Sequence, residues 1–219
     1  MKILGIDEAG RGPVLGSMMI CGYLIDESKR AELKASGAKD SKLLAPAKRE
    51  AIAAKLRDIA DDYVVLKAGV KEIDEAVDKG NLNVLEMEKM AEIIRTLRPD
   101  KAIVDCPETN TARFARRLSA LAGMTVIAEN YADATYVEVS AASILAKSER
   151  EKEIALLHKE HGFFGTGYTS DERTITFLKD WLERNKGLPG FARKSWITSQ
   201  VLVATKEQRT LKWLNAERD

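Results

Sequence analysis

The stretch Lys2-Ile3-Leu4-Gly5-Ile6-Asp7-Glu8-Ala9-Gly10-Arg11-Gly12-Pro13-Val14-Leu15-Gly16 decides how the rest of the chain is read. Lys2 to Ile6 is a short apolar strand that runs into two acids. Gly10, Gly12 and Gly16 then imitate a dinucleotide-binding loop. That loop requires a helix next, with its N-terminus on a pyrophosphate. Here Pro13 follows Gly12, and Val14 to Ile25 is a long apolar run with strand character, so the two runs pair across the Gly-Arg-Gly-Pro turn. The loop is either a tight hairpin turn, or backbone exposed for close approach to a polar ligand with Arg11 beside it, or both.

Outward from this hairpin, Tyr63 to Val70 is a third strand, Ala102 to Val104 a fourth ending at Asp105, and Met124 to Ala128 a fifth. Helices fall between and after them. Pro46 to Ala60 has Pro46 suited to the first turn. Asn81 caps Leu82 to Leu97, where Leu82, Leu85, Met90, Ile93 and Leu97 recur at helical spacing. Arg113 to Leu121 is short and basic, and Ser140 to His158 is long. Asp171 caps a helix to Trp181, and Ser195 another to about Ala204. Three strands followed by alternating helix and strand predict an α/β fold: a mixed five-stranded sheet with helices on both faces and a small helical C-terminal cap. Residues 1–185 form the main domain and 186–219 a helical extension on it, with Lys186 to Gly190 as the hinge.

The chain has 219 residues, 45% of them apolar and 32% charged, enough for one sizeable core and too apolar for disorder. Two cysteines, Cys21 and Cys106, make no disulfide framework and read as buried thiols. His158 and His161 have no cysteine near them, so no zinc cluster is expected. No apolar run approaches a membrane span and Asp7 and Glu8 break any signal-peptide pattern, so a cytoplasmic protein is expected. Lys and Arg number 35 against 34 Asp and Glu. The balance hides sorting: Ser28 to Arg57 holds nine basic residues against three acids, Arg184 to Lys194 four against none, and Asp58 to Lys79 three against seven. Bulk charge therefore does not bind a polyanion, but local basic segments could lie along a duplex.

The informative pattern is acidic. Asp7 and Glu8 end the first strand, Asp105 ends the fourth, and Asp133 follows the fifth. Ligands gather beyond the carboxyl ends of strands in sheets with parallel members, so four distant acids converge. Converging carboxylates repel and are desolvated, and divalent cations neutralise them. Mg²⁺ favours a few carboxylates with waters and phosphate oxygens. Two such ions about 4 Å apart suit in-line displacement at phosphorus. The plain alternative is a set of turn acids on a solvated edge.

Gly5-Ile6-Asp7-Glu8-Ala9-Gly10-Arg11-Gly12-Pro13-Val14-Leu15-Gly16 resembles the opening of type 2 ribonucleases H. So do Lys39-Asp40-Ser41-Lys42-Leu43, Val104-Asp105-Cys106-Pro107, Ala132-Asp133, Val139 to Lys147, and Gly165 to Tyr168, in order along the chain. The wording around Asp171 and Arg173 is nearer the archaeal and eukaryotic style. The resemblance implies an RNase H-like fold and an endonuclease that cuts the RNA strand of RNA–DNA hybrids. It also implies cutting 5′ of a single ribonucleotide embedded in duplex DNA, leaving 3′-hydroxyl and 5′-phosphate ends, as in primer removal and ribonucleotide excision. It assigns Asp7, Glu8, Asp105 and Asp133 as catalytic metal ligands for two Mg²⁺ or Mn²⁺ ions. The backbone of Gly10, Arg11 and Gly12 reads the ribose 2′-hydroxyl, which is what tells RNA from DNA. Tyr168 stacks on the sugar at the RNA-to-DNA junction, and Lys39, Lys42 and Lys147 lie near backbone phosphates. On the residues alone, Tyr168 reads as a buried aromatic and the lysines as solvated surface. The Ser-Ala-Ala-Ser start of the long helix reads as packing: small residues that let it approach the sheet closely.

Gln208, Leu211, Trp213 and Leu214 resemble a sliding-clamp-binding peptide. The spacing departs from the pattern, with one residue between Leu211 and Trp213 where two are usual, and Leu214 in place of a second aromatic. An amphipathic helix end packing Leu211 and Leu214 on the core explains the same residues. A monomer is expected. Two other classes fit parts of the sequence. A small-molecule kinase shares the Ile-Asp-x-x-Gly turn but needs a second nucleotide lobe. A non-catalytic hybrid-binding module leaves four acids facing a phosphate backbone unexplained.

Overall fold

The computed structural model describes residues 1–38 and 45–216, with side chains as far as Arg209. Lys39 and Lys42 lie outside the described residues. The chain forms two compact units. The first comprises residues 1–11, 18–68 and 81–152; the second comprises residues 12–17, 69–80 and those from 153 onward.

The first unit holds the sheet. Strands β1 (Lys2–Ala9), β2 (Met18–Asp26), β3 (Asp62–Ala68), β4 (Lys101–Asp105) and β5 (Val126–Glu129) lie in the order β3-β2-β1-β4-β5. β2 pairs antiparallel with both β1 and β3, while β1–β4 and β4–β5 are parallel. This is the mixed five-stranded sheet expected from the sequence. The helices of this unit are α1 (Arg30–Ala35), α2 (Pro46–Ile59), α4 (Leu82–Leu97), α5 (Thr111–Ala122), α6 (Ala132–Thr135) and the first part of α7 (Val137–His161).

Two glycines set the distance between sheet and helices. A Cβ on Gly5 would lie 2.2 Å from the carbonyl carbon of Glu138 and 2.4 Å from the amide of Val139, so the start of α7 rests on bare backbone of β1. On the other face, a Cβ on Gly22 would lie 2.2 Å from Ile93 of α4. The small residues Ala141 and Ala142 continue the close approach of α7 and are buried with Cys21, Tyr23, Ile25 and Leu56 in one core. Tyr23 satisfies its buried hydroxyl by donating to the Leu56 carbonyl at 2.8 Å. Cys21 and Cys106 are both buried free thiols.

The second unit comprises α3 (Val70–Asp78), the end of α7, α8 (Glu172–Arg184), α9 (Ile197–Ala216) and the Gly12–Ser17 segment. Its core joins Val14, Leu15, Phe164, Leu178 and Ala192. The amides of Val14 and Leu15 donate to the Gly167 carbonyl at 2.8 and 3.2 Å, and the Gly16 amide donates to Phe191 at 2.9 Å. Val14 to Ser17 therefore belongs to this unit, and the second strand begins only at Met18.

Other expectations are corrected locally. The third strand stops at Ala68, and Val70, the expected end of that strand, opens α3. Asn81 precedes α4, but its backbone, at φ −119° and ψ 24°, is outside the extended region an N-cap needs, and its side chain makes no cap bond. Asp171 does cap α8, accepting from the Arg173 amide at 3.1 Å. Ser195 instead donates its hydroxyl to Asp74 at 2.6 Å, and α9 starts two residues later and runs on to Ala216. Among the described residues no helix is long and apolar enough to cross a membrane.

Candidate active site

Asp7 and Glu8 do not end β1, which runs on to Ala9; they lie inside it, opposite Cys21 and Ile20 of β2. Successive residues of a strand point to opposite faces. Asp7 therefore faces α7, where the hydroxyl of Ser143 hydrogen-bonds its carboxylate, and Glu8 faces α4, where it feels the charge of Glu86. The pairing of Ile6 with Val104 puts Asp105 one step on, at the end of the neighbouring parallel strand. Asp105 Oδ1 accepts the amide of Ala132 at 2.9 Å, which fixes the start of α6 and carries the buried Asp133 with it. The turn into α6 is held hard. Asn130 donates from one side-chain nitrogen to the carbonyls of Cys106 (2.8 Å) and Glu108 (2.9 Å), and Tyr131 sits at φ 59°, a left-handed conformation unfavourable for a bulky residue.

The electrostatics follow from this crowding. Burial raises the Asp7 carboxyl to about 7, and the charge of Asp105 adds to it. The hydrogen bond from Ser143, the Glu8 amide at 2.7 Å and the charge of Lys147 oppose the rise. Burial also pushes Glu8 well above the usual range, with Asp7, Glu86 and Asp105 raising it further and Arg11 offsetting them in part. Such a set is stabilised by cations. Its donors are all anionic oxygens, the chemistry of Mg²⁺ or Mn²⁺ rather than of softer metals. Among the described residues no three His, Cys, Asp or Glu side chains enclose an ion by themselves. Mg²⁺ does not need such a cage, because it keeps waters and takes substrate phosphate oxygens.

Ser143 is a residue that sequence reasoning assigned to packing. It touches Asp7 and also accepts from Lys147 Nζ at 2.8 Å, one helical turn on. The spacing Ser143-x-x-x-Lys147 behind a helix start was the available signal. Glu86 was also missed: a fully buried carboxylate on α4 that accepts from Arg11.

In the second unit, Tyr168 is exposed, 42% of its surface being accessible, rather than buried. Its ring edge is 3.8 Å from where a Cβ on Gly12 would stand, so the ring lies beside the Gly12 backbone at ordinary contact distance. The turn beneath it is rigid. Asp171 accepts from Thr166 and pairs with Arg173 through two 2.8 Å bonds, and Thr174 bridges Gly167 and Phe164. The Gly12 carbonyl is held by Trp196 Nε1 at 3.1 Å. Gln208 lies on α9, and the side chains of Leu211, Trp213 and Leu214 lie outside the described residues.

Four of the nine basic residues of segment 28–57 are engaged within the protein. Arg30 pairs with buried Glu138, Arg49 with Glu151, Lys29 with Asp61, and Arg57 with Glu50 and Glu149. Its excess charge is thus less available to a duplex than the residue count suggested.

A model of the family described as Ribonuclease HII matches residues 4–199. A protein named ribonuclease HII from Methanothrix thermoacetophila is 41% identical over 94% of this chain and 99% of its own length. The crystal structure of ribonuclease H2 from Pyrococcus horikoshii superposes with a TM-score of 0.89 at 42% identity, covering 94% of this chain and 98% of that one. A ribonuclease HII from Archaeoglobus fulgidus, solved as a PCNA:RNase HII complex, gives 0.85 at 40% identity, covering 91% and 96%.

Proposed function

Because the chain belongs to the ribonuclease HII family, we propose that it hydrolyses the RNA strand of RNA–DNA hybrids and cuts on the 5′ side of single ribonucleotides in duplex DNA. The products carry 3′-hydroxyl and 5′-phosphate ends, which suits primer removal and ribonucleotide excision. The observation that carries this reading is the parallel pairing of β1 with β4, which sets Asp7 of β1 beside Asp105 at the end of β4, with Asp133 next to the Ala132 amide that Asp105 accepts.

Asp7, Glu8, Asp105 and Asp133 would hold two Mg²⁺ or Mn²⁺ ions, which supply an activated water and stabilise the leaving oxygen. The protein's own contribution is orientation and charge. Ser143 fixes the Asp7 carboxylate, and Lys147 stands behind Ser143 and lowers the proton affinity of Asp7. Lys147 therefore serves the carboxylate as well as any phosphate. The backbone of Gly10, Arg11 and Gly12 reads the 2′-hydroxyl, and exposed Tyr168 offers its ring to the sugar at the junction. Lys39 and Lys42 are assigned to phosphates by resemblance alone. In this reading residues 1–185 carry catalysis and 186–219 form a helical extension. The protein acts as a cytoplasmic monomer. The structural relative solved with PCNA supports a sliding clamp as a partner; Gln208, Leu211, Trp213 and Leu214 are assigned to that contact by resemblance alone.

Incubation with Mg²⁺ or Mn²⁺ and a DNA duplex bearing one ribonucleotide tests the reading. Cleavage 5′ of that ribonucleotide with a 3′-hydroxyl end is expected. Binding without cleavage, or 2′,3′-cyclic phosphate ends, would refute it.

A further inference from the structure

We propose that Glu86 and Asn83 of α4 are positioning residues that hold the Gly10–Gly12 loop in shape by clamping the guanidinium of Arg11. The proposal rests on the reading of that loop as the sensor of the 2′-hydroxyl.

The geometry is specific. Arg11 Nη1 donates to Glu86 Oε2, and Nη2 donates to Asn83 Oδ1 at 2.7 Å. Residues 83 and 86 are three apart, on one face of the helix, so both reach the same planar group. A guanidinium held at two nitrogens by two acceptors is fixed in plane and direction, which a single ammonium contact would not achieve. The clamp extends further. Asn83 Nδ2 donates to Glu108 Oε1 at 3.1 Å, and Glu108 Oε2 accepts from Arg113 at 3.0 Å. Glu108 lies three residues beyond Asp105, so the network ties the loop after β1 to the loop after β4.

A purely structural role explains Glu86 poorly. Its side chain is completely buried, and Oε1 has no hydrogen-bond partner among the described residues. An apolar residue of similar volume would usually stabilise a helix face at least as well as a buried ion pair. Glu86 also adds negative charge beside Glu8, in a site already crowded with acids. What it provides in return is direction for Arg11. Next to Arg11, Gly10 stands at φ 87°, a backbone that glycine adopts freely, so a hold on the Arg11 side chain bears directly on the loop's shape. Arg11 is thereby an anchor for its loop rather than a hand on phosphate.

The test uses Glu86→Gln, Asn83→Ala and Arg11→Ala in the full chain, assayed on a duplex with one ribonucleotide, with amide hydrogen exchange of residues 10–12 measured in the free protein. For Glu86→Gln, KM should rise on the order of tenfold or more with kcat changing less. Loop exchange should quicken, and the losses of Glu86→Gln and Arg11→Ala should not add in the double variant. A misfolded fraction would instead lower kcat and leave KM alone. Unchanged KM and exchange, or additive losses, would overturn the proposal. Should Glu86→Gln fail to fold, Asn83→Ala must show the same pattern more weakly. A wild-type protein without ribonuclease activity would refute the proposed function, while the exchange rates would still decide whether the clamp exists.

Discussion

Replacing Asp7 by asparagine removes a carboxyl that the fold holds at about 7 against an ordinary value of 3.8. Between these two values the folded protein keeps a proton that the unfolded chain releases. Stability from this group is therefore complete below about pH 4 and is lost as pH rises towards 7. At 1.36 kcal/mol per pH unit, the full loss is about 4 kcal/mol, of which about 2 kcal/mol is already lost at pH 5. Asparagine does not titrate. Without divalent ions, Asp7→Asn should thus gain about 2 to 3 kcal/mol relative to the wild type between pH 5 and pH 8. Urea denaturation in chelator at the two pH values measures this directly. Mg²⁺ should stabilise the wild type at pH 8, by about 3 kcal/mol at a hundredfold excess over its Kd, and the variant much less. The same substitution should lower hydrolysis by orders of magnitude and leave hybrid binding nearly intact. A stability difference that stays constant from pH 5 to pH 8 would show that Asp7 is not buried as an uncompensated acid. Wild-type turnover in the variant would remove it from the catalytic set.

Gly5→Ala should cost about 3 kcal/mol or more, or prevent folding, because the new methyl meets the α7 backbone at 2.2 to 2.4 Å; a urea midpoint near wild type would refute the close contact. Tyr168→Ala should leave the melting temperature within a few degrees, because the ring is half exposed, and should weaken preference for RNA–DNA junction substrates over plain hybrid. Equal cleavage of both by the wild type would dismiss that role. Ser143→Ala should reduce kcat with little change in KM, since it loosens Asp7 and not the substrate; a change confined to KM would contradict this. Asn110→Ala, which removes the α5 cap bond to Arg113 at 3.0 Å, should destabilise by about 1 kcal/mol without altering activity.

Much of the fold was legible, and a candidate site could be named, because residue type and local order are written in the sequence. Acids at strand ends, a glycine loop followed by a strand, and alternating helix and strand can be read without coordinates. The caps were only half legible. Asp171 and Asn81 are equally good cap residues in a sequence, and the backbone angles that separate them depend on what the chain meets before the helix. Val14 to Ser17 read as strand because it is apolar, yet its hydrogen bonds go to Gly167 and Phe191, more than 150 positions away. Tyr168 read as buried for the same reason: burial is a property of neighbours.

By itself, then, the sequence determined the order of five strands and most of their helices, and it named four acids and a glycine loop as the candidate site, since periodicity and motif order are local. Only the tertiary structure decided that Asp7 and Glu8 face opposite sides of β1 within the strand, that Ser143 and Lys147 serve Asp7, and that Arg11 is held by Glu86 and Asn83. It also decided that Lys29, Arg30, Arg49 and Arg57 of the basic segment 28–57 are paired with acids of the protein itself. The reason is physical. A residue's charge state and its partners depend on which distant side chains share its desolvated volume, and that volume exists only once the sheet is paired and the helices lie across it.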